Sequence, residues 1–185
     1  DTAASEEIIE ATARAARILD AVPVVINVPL PPKAHLEPPA PLAEAIKVSD
    51  VWIEYAFRPI FFTTAYQAAV AAGTRYLNVA RAQPDWFIRV IGNVDYARMI
   101  ELGDRLLELT NSADHVRIVS PAGTDISAHN NGRRGFNHGP ATRKGQAYMV
   151  GGQVGWCPLE ETIEGTIVFD GMLSYPEELT RLKRP

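Results

Sequence analysis

"TTAYQAAVAAGTRYLNVA", residues 63 to 80, decides the fold. Its first part is alanine-rich and stops at Gly73, a residue suited to the left-handed cap that ends a helix. Its second part, "RYLNVA", is short, apolar and aromatic, the texture of a strand. Just upstream, "DVWIEYAF", residues 50 to 57, is another strand candidate. Strand, helix and strand in that order make a βαβ unit, which predicts a mostly parallel sheet with right-handed crossovers.

Moving outward, "VPVVINVPLPP", residues 22 to 32, contains "VVINV", a run suited to a strand buried on both faces. Its prolines then stop it. "KAHLEPPAP" reads as a loop and "PLAEAIKVSD" as a short helix with Pro41 near its first turn. The opening "DTAASEEIIEATARAARILDA" has the pattern of a helix that follows a strand. Ser5 is its candidate N-cap, with acids in the first turn. Ile8, Ala11, Ala15, Ile18 and Leu19 recur at helical spacing. The chain starts at Asp1 without methionine, so a strand is expected to be missing ahead of it. The closing "PEELTRLKRP" does not read as the end of a domain, and truncation is expected there too.

"DYARMIELGDRLLELTNSAD", residues 95 to 114, reads as a helix, with Met99, Ile100, Leu102, Leu106, Leu107 and Leu109 on its apolar side. From His115 the texture alternates and fills with Gly and Asn. Strands are expected over "VRIVS", "TDISAH" and "GTIVFDG", with turns at Pro121-Ala122-Gly123 and Asn131-Gly132. The fold class is therefore α/β. Residues 1–112 are expected to form a mostly parallel βαβ domain whose first strand lies ahead of the chain. Residues 113–185 are expected to begin a β-rich α+β domain whose C-terminal part lies outside the chain.

Composition bounds the function. The 185 residues carry a net charge of −4, which argues against a nucleic-acid-binding surface. No apolar run is long enough for a membrane span. Cys157 is the only cysteine, so no internal disulfide can form, and a reducing compartment fits. With no signal peptide visible, the cytoplasm is the expected location.

Several residues are candidates for chemistry. His35 and His115 read as loop and strand positions without a role. His129 and His138 flank "NNGRRGFN", but nine residues apart they lack a recognised metal spacing. Glu160 follows Trp156 and Pro158 closely. A carboxyl held near a tryptophan and buried backbone can titrate high and serve as acid or base; the alternative is a solvated turn. Cys157 has acids as its nearest charged neighbours, which would raise its thiol pKa, and it reads as structural. "SPAGTDIS" lacks the Gly-Lys-Ser/Thr ending of a phosphate loop and reads as a turn. Arg133, Arg134, Arg143 and Lys144 form a basic group able to steer an anion. The residues alone point to a site somewhere among positions 129 to 164.

"VRIVSPAGTDIS" and "GGQVGWCPLEETIEGTIVFDG" together resemble two related families, the aminopeptidase T-like metallopeptidases and the 2,5-dihydroxypyridine 5,6-dioxygenases. The resemblance rests on Pro121, Gly123, Thr124 and Asp125, then on Gly152, Val154, Pro158, Glu160, Gly165 and "TIVFDG". In the peptidase branch, a glutamate that ligates metal occupies the place of Gln153. A neutral amide is a poor ligand for Zn²⁺ or Co²⁺, which argues against that chemistry. The dioxygenase branch implies one non-haem Fe(II) held by two histidines and an aspartate, part of the set arranged as His-x-Asp. This sequence contains no His-x-Asp, so the resemblance implies metal ligands outside the chain and an inactive fragment. It further implies a small hydroxylated pyridine-type substrate and O₂ as partners. Glu160 and His138 become the catalytic candidates, and Gln153, Trp156 and Arg134 the substrate-binding ones. Trp156 can offer its face to an aromatic ring, while Gln153 can hydrogen-bond ring hydroxyls. A homo-oligomer is expected from the apolar surface an incomplete domain exposes. A small-molecule binding module without catalysis is the remaining alternative.

Overall fold

The computed structural model describes residues 2–29, 31–79, 82–149 and 152–170. In chain order the helices are α1 (Thr2–Ile18), α2 (Ala40–Lys47), α3 (Thr64–Ala72), α4 (Pro84–Phe87) and α5 (Tyr96–Ser112). The strands are β1 (Val51–Glu54), β2 (Arg75–Asn78), β3 (His115–Val119), β4 (Asp125–His129), β5 (Phe136–His138), β6 (Ala147–Met149), β7 (Gln153–Gly155) and β8 (Glu164–Thr166). The chain packs as two compact units. The first holds residues up to Asp104 together with Asn137–Val154. The second holds Arg105–Phe136 and the described residues from Gly155 onward.

In the first unit, α3 is bounded as its sequence predicts. The Thr63 hydroxyl accepts the Tyr66 N–H at 3.2 Å, and Gly73 closes the helix at φ +105°. Glu37, from the proline-rich loop, accepts the N–H groups of Thr64 and Ala65, placing a negative charge at the helix start. These bonds hold the Glu37 carboxyl below its ordinary pKa. Beyond Gly73, the buried Thr74 hydroxyl lies 2.9 Å from the Ile46 carbonyl and 3.0 Å from that of Ser49. The chain then enters β2, which pairs in parallel with β1 (Val51↔Arg75 through Glu54↔Asn78) and with β6 (Tyr76↔Ala147 through Asn78↔Met149). The sheet order β1-β2-β6 gives the parallel arrangement the alternation of elements predicts.

Successive strand residues point to opposite faces. Trp52, Glu54, Tyr76 and Asn78 share one face, where Ile46, Ile60 and Ala69 form a core with Leu42, Trp52 and Ala65. Ile53, Tyr55, Leu77 and Val79 share the other, where Ile8, Val79 and Ala82 pack with Trp86, Phe87 and Ile91. Glu54 is buried on the first face. Its carboxylate accepts the Ile60 N–H at 2.9 Å and the Tyr76 hydroxyl, and Asn78 donates to that hydroxyl at 2.9 Å. Burial pushes the Glu54 carboxyl above its ordinary range, against the lowering effect of those bonds and of His35. Burial, then the adjacent carboxylate, pushes the Tyr76 phenol up as well.

Several elements depart from the sequence reading. "VVINV" forms no strand, and Val22 and Val24 are 90% and 78% exposed. Pro23 and Pro29 lack the N–H a ladder needs, and no neighbouring strand accepts the segment. Helix α1 begins at Thr2, so Ser5 lies inside it rather than at its cap. Ile8 is buried, but Ile18 and Leu19 are 82% and 79% exposed, so only the first part of the apolar stripe reaches a core. Helix α4, the π-helical turn Ile88–Gly92 that follows it and strand β6 have no counterpart in that reading.

In the second unit, β3 and β4 form the expected hairpin, from His115↔His129 to Val119↔Asp125. Its turn closes with Gly123 N–H on the Ser120 carbonyl at 3.1 Å and with Gly123 at φ +103°. Strand β8 adds to β4 (Asp125↔Thr166 through Ser127↔Glu164). The strand expected over "GTIVFDG" ends at Thr166 because its partner ends at Asp125. Beyond that point the Thr124 hydroxyl, not a strand, takes the Val168 N–H at 3.0 Å. Gly165 sits at φ +119°, and a Cβ there would fall on the Asp125 carbonyl, so the β4–β8 approach requires glycine.

The buried Glu54 predicts a pH dependence. Its folded pKa lies above the unfolded value near 4.5, so the fold favours the protonated carboxyl. The stability it contributes is full below about pH 4.5 and is lost as pH rises through the raised folded value. Glu54→Gln keeps an acceptor for Ile60 and Tyr76 without the charge. Urea titrations from pH 4 to 8 are expected to show wild-type stability falling relative to this variant as pH rises.

Candidate functional site

The middle of the apolar stripe of α1 consists of small residues, and this shapes the first unit. Ala11 and Ala15 face Val51, Ile53 and Leu77 of the sheet across a gap their methyl groups do not fill. The result is an open cavity of about 570 Å³, lined elsewhere by Phe87 and Ile91, by Tyr96 and Met99 of α5, and by the returning segment from His138 to Ala141. This volume falls within the roughly 300–1,000 Å³ usual for small-molecule sites. The walls are almost wholly apolar. The polar groups on them include the Thr12 and Tyr55 hydroxyls, hydrogen-bonded to each other at 2.6 Å, Arg75 and His138.

His138 ends β5, and local packing fixes its place. The neighbouring Asn137 amide donates to the Ile100 carbonyl at 3.2 Å and to the Asp104 carboxylate at 2.8 Å, pinning this segment to α5. The His138 Nδ1 accepts the Met149 N–H at 3.3 Å, and the ring meets Tyr148 edge-on at 5.5 Å. Burial lowers its pKa, so the ring is neutral at pH 7. With Nδ1 accepting, the neutral ring carries its proton on Nε2. Gly152, at φ +76°, completes the wall; a Cβ there would lie 2.7 Å from the Met99 sulfur.

The other candidates are dispersed. Gln153 opens β7 in the first unit and is exposed. Arg134, Trp156 and Glu160 belong to the second unit. Trp156 is half-buried. A Cβ on Gly135 would lie 2.7 Å from the Gly155 carbonyl and 3.3 Å from the Trp156 Cβ, so glycine lets the two segments meet. Glu160 is exposed on a 3₁₀ turn, and Arg133 holds its carboxylate at 2.6 Å. Arg134 is exposed, and its side chain makes no ion pair among the described residues. Cys157 is exposed. His35 packs edge-on against Phe61 and bonds its carbonyl through Nδ1 at 2.9 Å. The sequence reading missed Thr12, Tyr55 and Arg75 as cavity groups. Their signal lay in strand alternation combined with the alanines of α1.

Among the described residues no three His, Cys, Asp or Glu side chains lie together to hold a metal ion. No helix there is long and apolar enough to cross a membrane.

A profile of the NicX family, described as 2,5-dihydroxypyridine 5,6-dioxygenase, matches residues 1–172. The solved structure of 2,5-dihydroxypyridine dioxygenase from Pseudomonas putida KT2440 superposes with a TM-score of 0.63 at 20% identity. The match covers 85% of this chain and 48% of that one, so the chain spans about half the length of that structure. At this identity the likeness concerns the fold. No relative of curated function matches.

The setting of His138 predicts its titration. Its folded pKa lies below the unfolded value of 6.5, so the stability it contributes is present above pH 6.5 and lost as pH falls through the lowered value. An NMR titration of its Cε1–H is expected to give a midpoint below 6.5. His138→Gln is expected to lose less stability than wild type between pH 7 and 5.

Proposed function

The chain belongs to the 2,5-dihydroxypyridine 5,6-dioxygenase family, and on that premise we propose that the protein serves the oxidative opening of a hydroxylated pyridine-type ring. In such a reaction both atoms of O₂ enter the product and one ring carbon–carbon bond breaks. The observation that carries this reading is the family match across residues 1–172, which takes in both units.

The family reading includes Fe(II), which as a facial triad takes three protein ligands. The described residues do not fit that set, since no three candidate ligands converge. We therefore place the metal ligands outside the described residues.

Within the first unit, the cavity beside His138 suits a small, flat, largely apolar ring. A neutral His138 with its proton on Nε2 would donate to a ring oxygen and pass that proton as the oxygen's charge changes. Gln153, exposed on β7, would hydrogen-bond a ring substituent. Within the second unit, Trp156 would stack on an aromatic group and Arg134 would attract an anionic one. Glu160, held by Arg133, is the remaining acid–base candidate. Exposed apolar side chains such as Phe62, 71% exposed, support association of chains into a homo-oligomer.

The test is O₂ consumption with 2,5-dihydroxypyridine and Fe(II), using the protein as its gene encodes it. Loss of ring absorbance matched one-to-one by O₂ uptake is the expected result. His138→Gln is expected to lower kcat by roughly 10²–10⁴-fold, with the far-UV spectrum unchanged. An unchanged kcat would remove His138 from the chemistry. Absence of ring opening in the wild type, or peptide hydrolysis with Zn²⁺ or Co²⁺ in its place, would sink the dioxygenase reading.

A further inference from the structure

His115 opens β3 and His129 closes β4, and the two are register partners. The Asn130 N–H donates to the Asp114 carbonyl at 2.9 Å, one residue outside the pair. That bond makes His115–His129 a non-hydrogen-bonded pair, the arrangement in which facing side chains approach most closely. The imidazole centroids lie 5.4 Å apart with planes at 70°.

This spacing matches two imidazoles sharing one cation. With metal–nitrogen bonds of about 2.1 Å, each ring centre sits roughly 3.2 Å from the metal, and a tetrahedral angle separates the two centres by about 5.2 Å. Both histidines are exposed, and no hydrogen bond occupies their ring nitrogens among the described residues. The backbone of His129 is already held on its far side. Its N–H donates to the Thr162 hydroxyl at 2.9 Å and its carbonyl accepts the Leu159 N–H at 2.9 Å. The nearest cation on that strand face, Arg117, is bound through two nitrogens to Asp125 at 2.8 and 2.7 Å, which offsets its charge. Imidazole is a good ligand for Zn²⁺, Ni²⁺ and Cu²⁺.

We propose that the β3–β4 hairpin carries a two-imidazole site for a divalent first-row transition cation, on His115 and His129. The other coordination positions would be filled by water or by an anionic oxygen from a ligand. The site stands apart from the ring-opening reaction, whose metal takes three protein groups.

Isothermal titration of this 185-residue chain, freed of metal, with Zn²⁺ tests this without any aromatic substrate, so failure of the ring-opening reading leaves it untouched. One-to-one binding is expected. His115→Ala and His129→Ala should each weaken it at least tenfold, while His138→Ala and Cys157→Ser leave it unchanged. In the wild type, the imidazole NMR signals of His115 and His129 should shift together and saturate at one equivalent. Absent binding at millimolar Zn²⁺, binding that survives either histidine substitution, or binding that falls with Cys157→Ser would each overturn the proposal. So would a shift confined to one of the two rings.

Discussion

The corner at Gly73–Thr74 holds the first unit together. Gly73 ends α3 in the left-handed conformation, and its carbonyl accepts the Gly145 N–H at 3.0 Å. Thr74 is buried and bonds the end of α2 through its hydroxyl. The Tyr76 N–H then takes the Gln146 carbonyl at 2.8 Å. Three residues thus join two helices, the central strand and a segment seventy positions further along. Buried backbone and hydroxyl groups need partners, and here each partner also sets the position of an element.

From that corner, strand alternation separates two environments. One face of the sheet carries a buried acid that accepts hydrogen bonds from the Ile60 N–H and the Tyr76 hydroxyl. Burial desolvates that carboxyl more than its hydrogen bonds compensate, which is why it titrates high. The other face carries no such network. Alanines on α1 leave space instead of filling it, and the result is an apolar cavity with a neutral imidazole on its wall. The lowered histidine pKa follows from the burial of its ring against that wall.

Parts of this were legible in the sequence. Thr63, Gly73 and the apolar run after it specify a helix and a strand locally, and Pro41 marks the start of α2. The hairpin around Gly123 follows from its turn residues and alternating flanks. Other parts misled. "VVINV" has every local property of a buried strand, yet burial needs a neighbour and none pairs with it. "AYM" is too short to announce itself and becomes β6 through its parallel partner alone. Glu160 stands close in sequence to Trp156, but its bonded partner is Arg133, twenty-seven positions away. His115 looked idle because its meaning depends on the residue opposite.

The sequence by itself determined the α/β class and the elements bounded by their own signals, α2, α3, α5, β1, β2 and the β3–β4 hairpin, because caps, turn residues and periodicity act within a few positions of themselves. The tertiary structure alone decided that residues 137–154 return to the first unit, that His138 lines a cavity and that His115 faces His129. Those outcomes depend on which strand pairs with which and in what register. Pairing is set by hydrogen bonds between residues far apart in the chain, and a one-residue slip would turn each side chain to the opposite face.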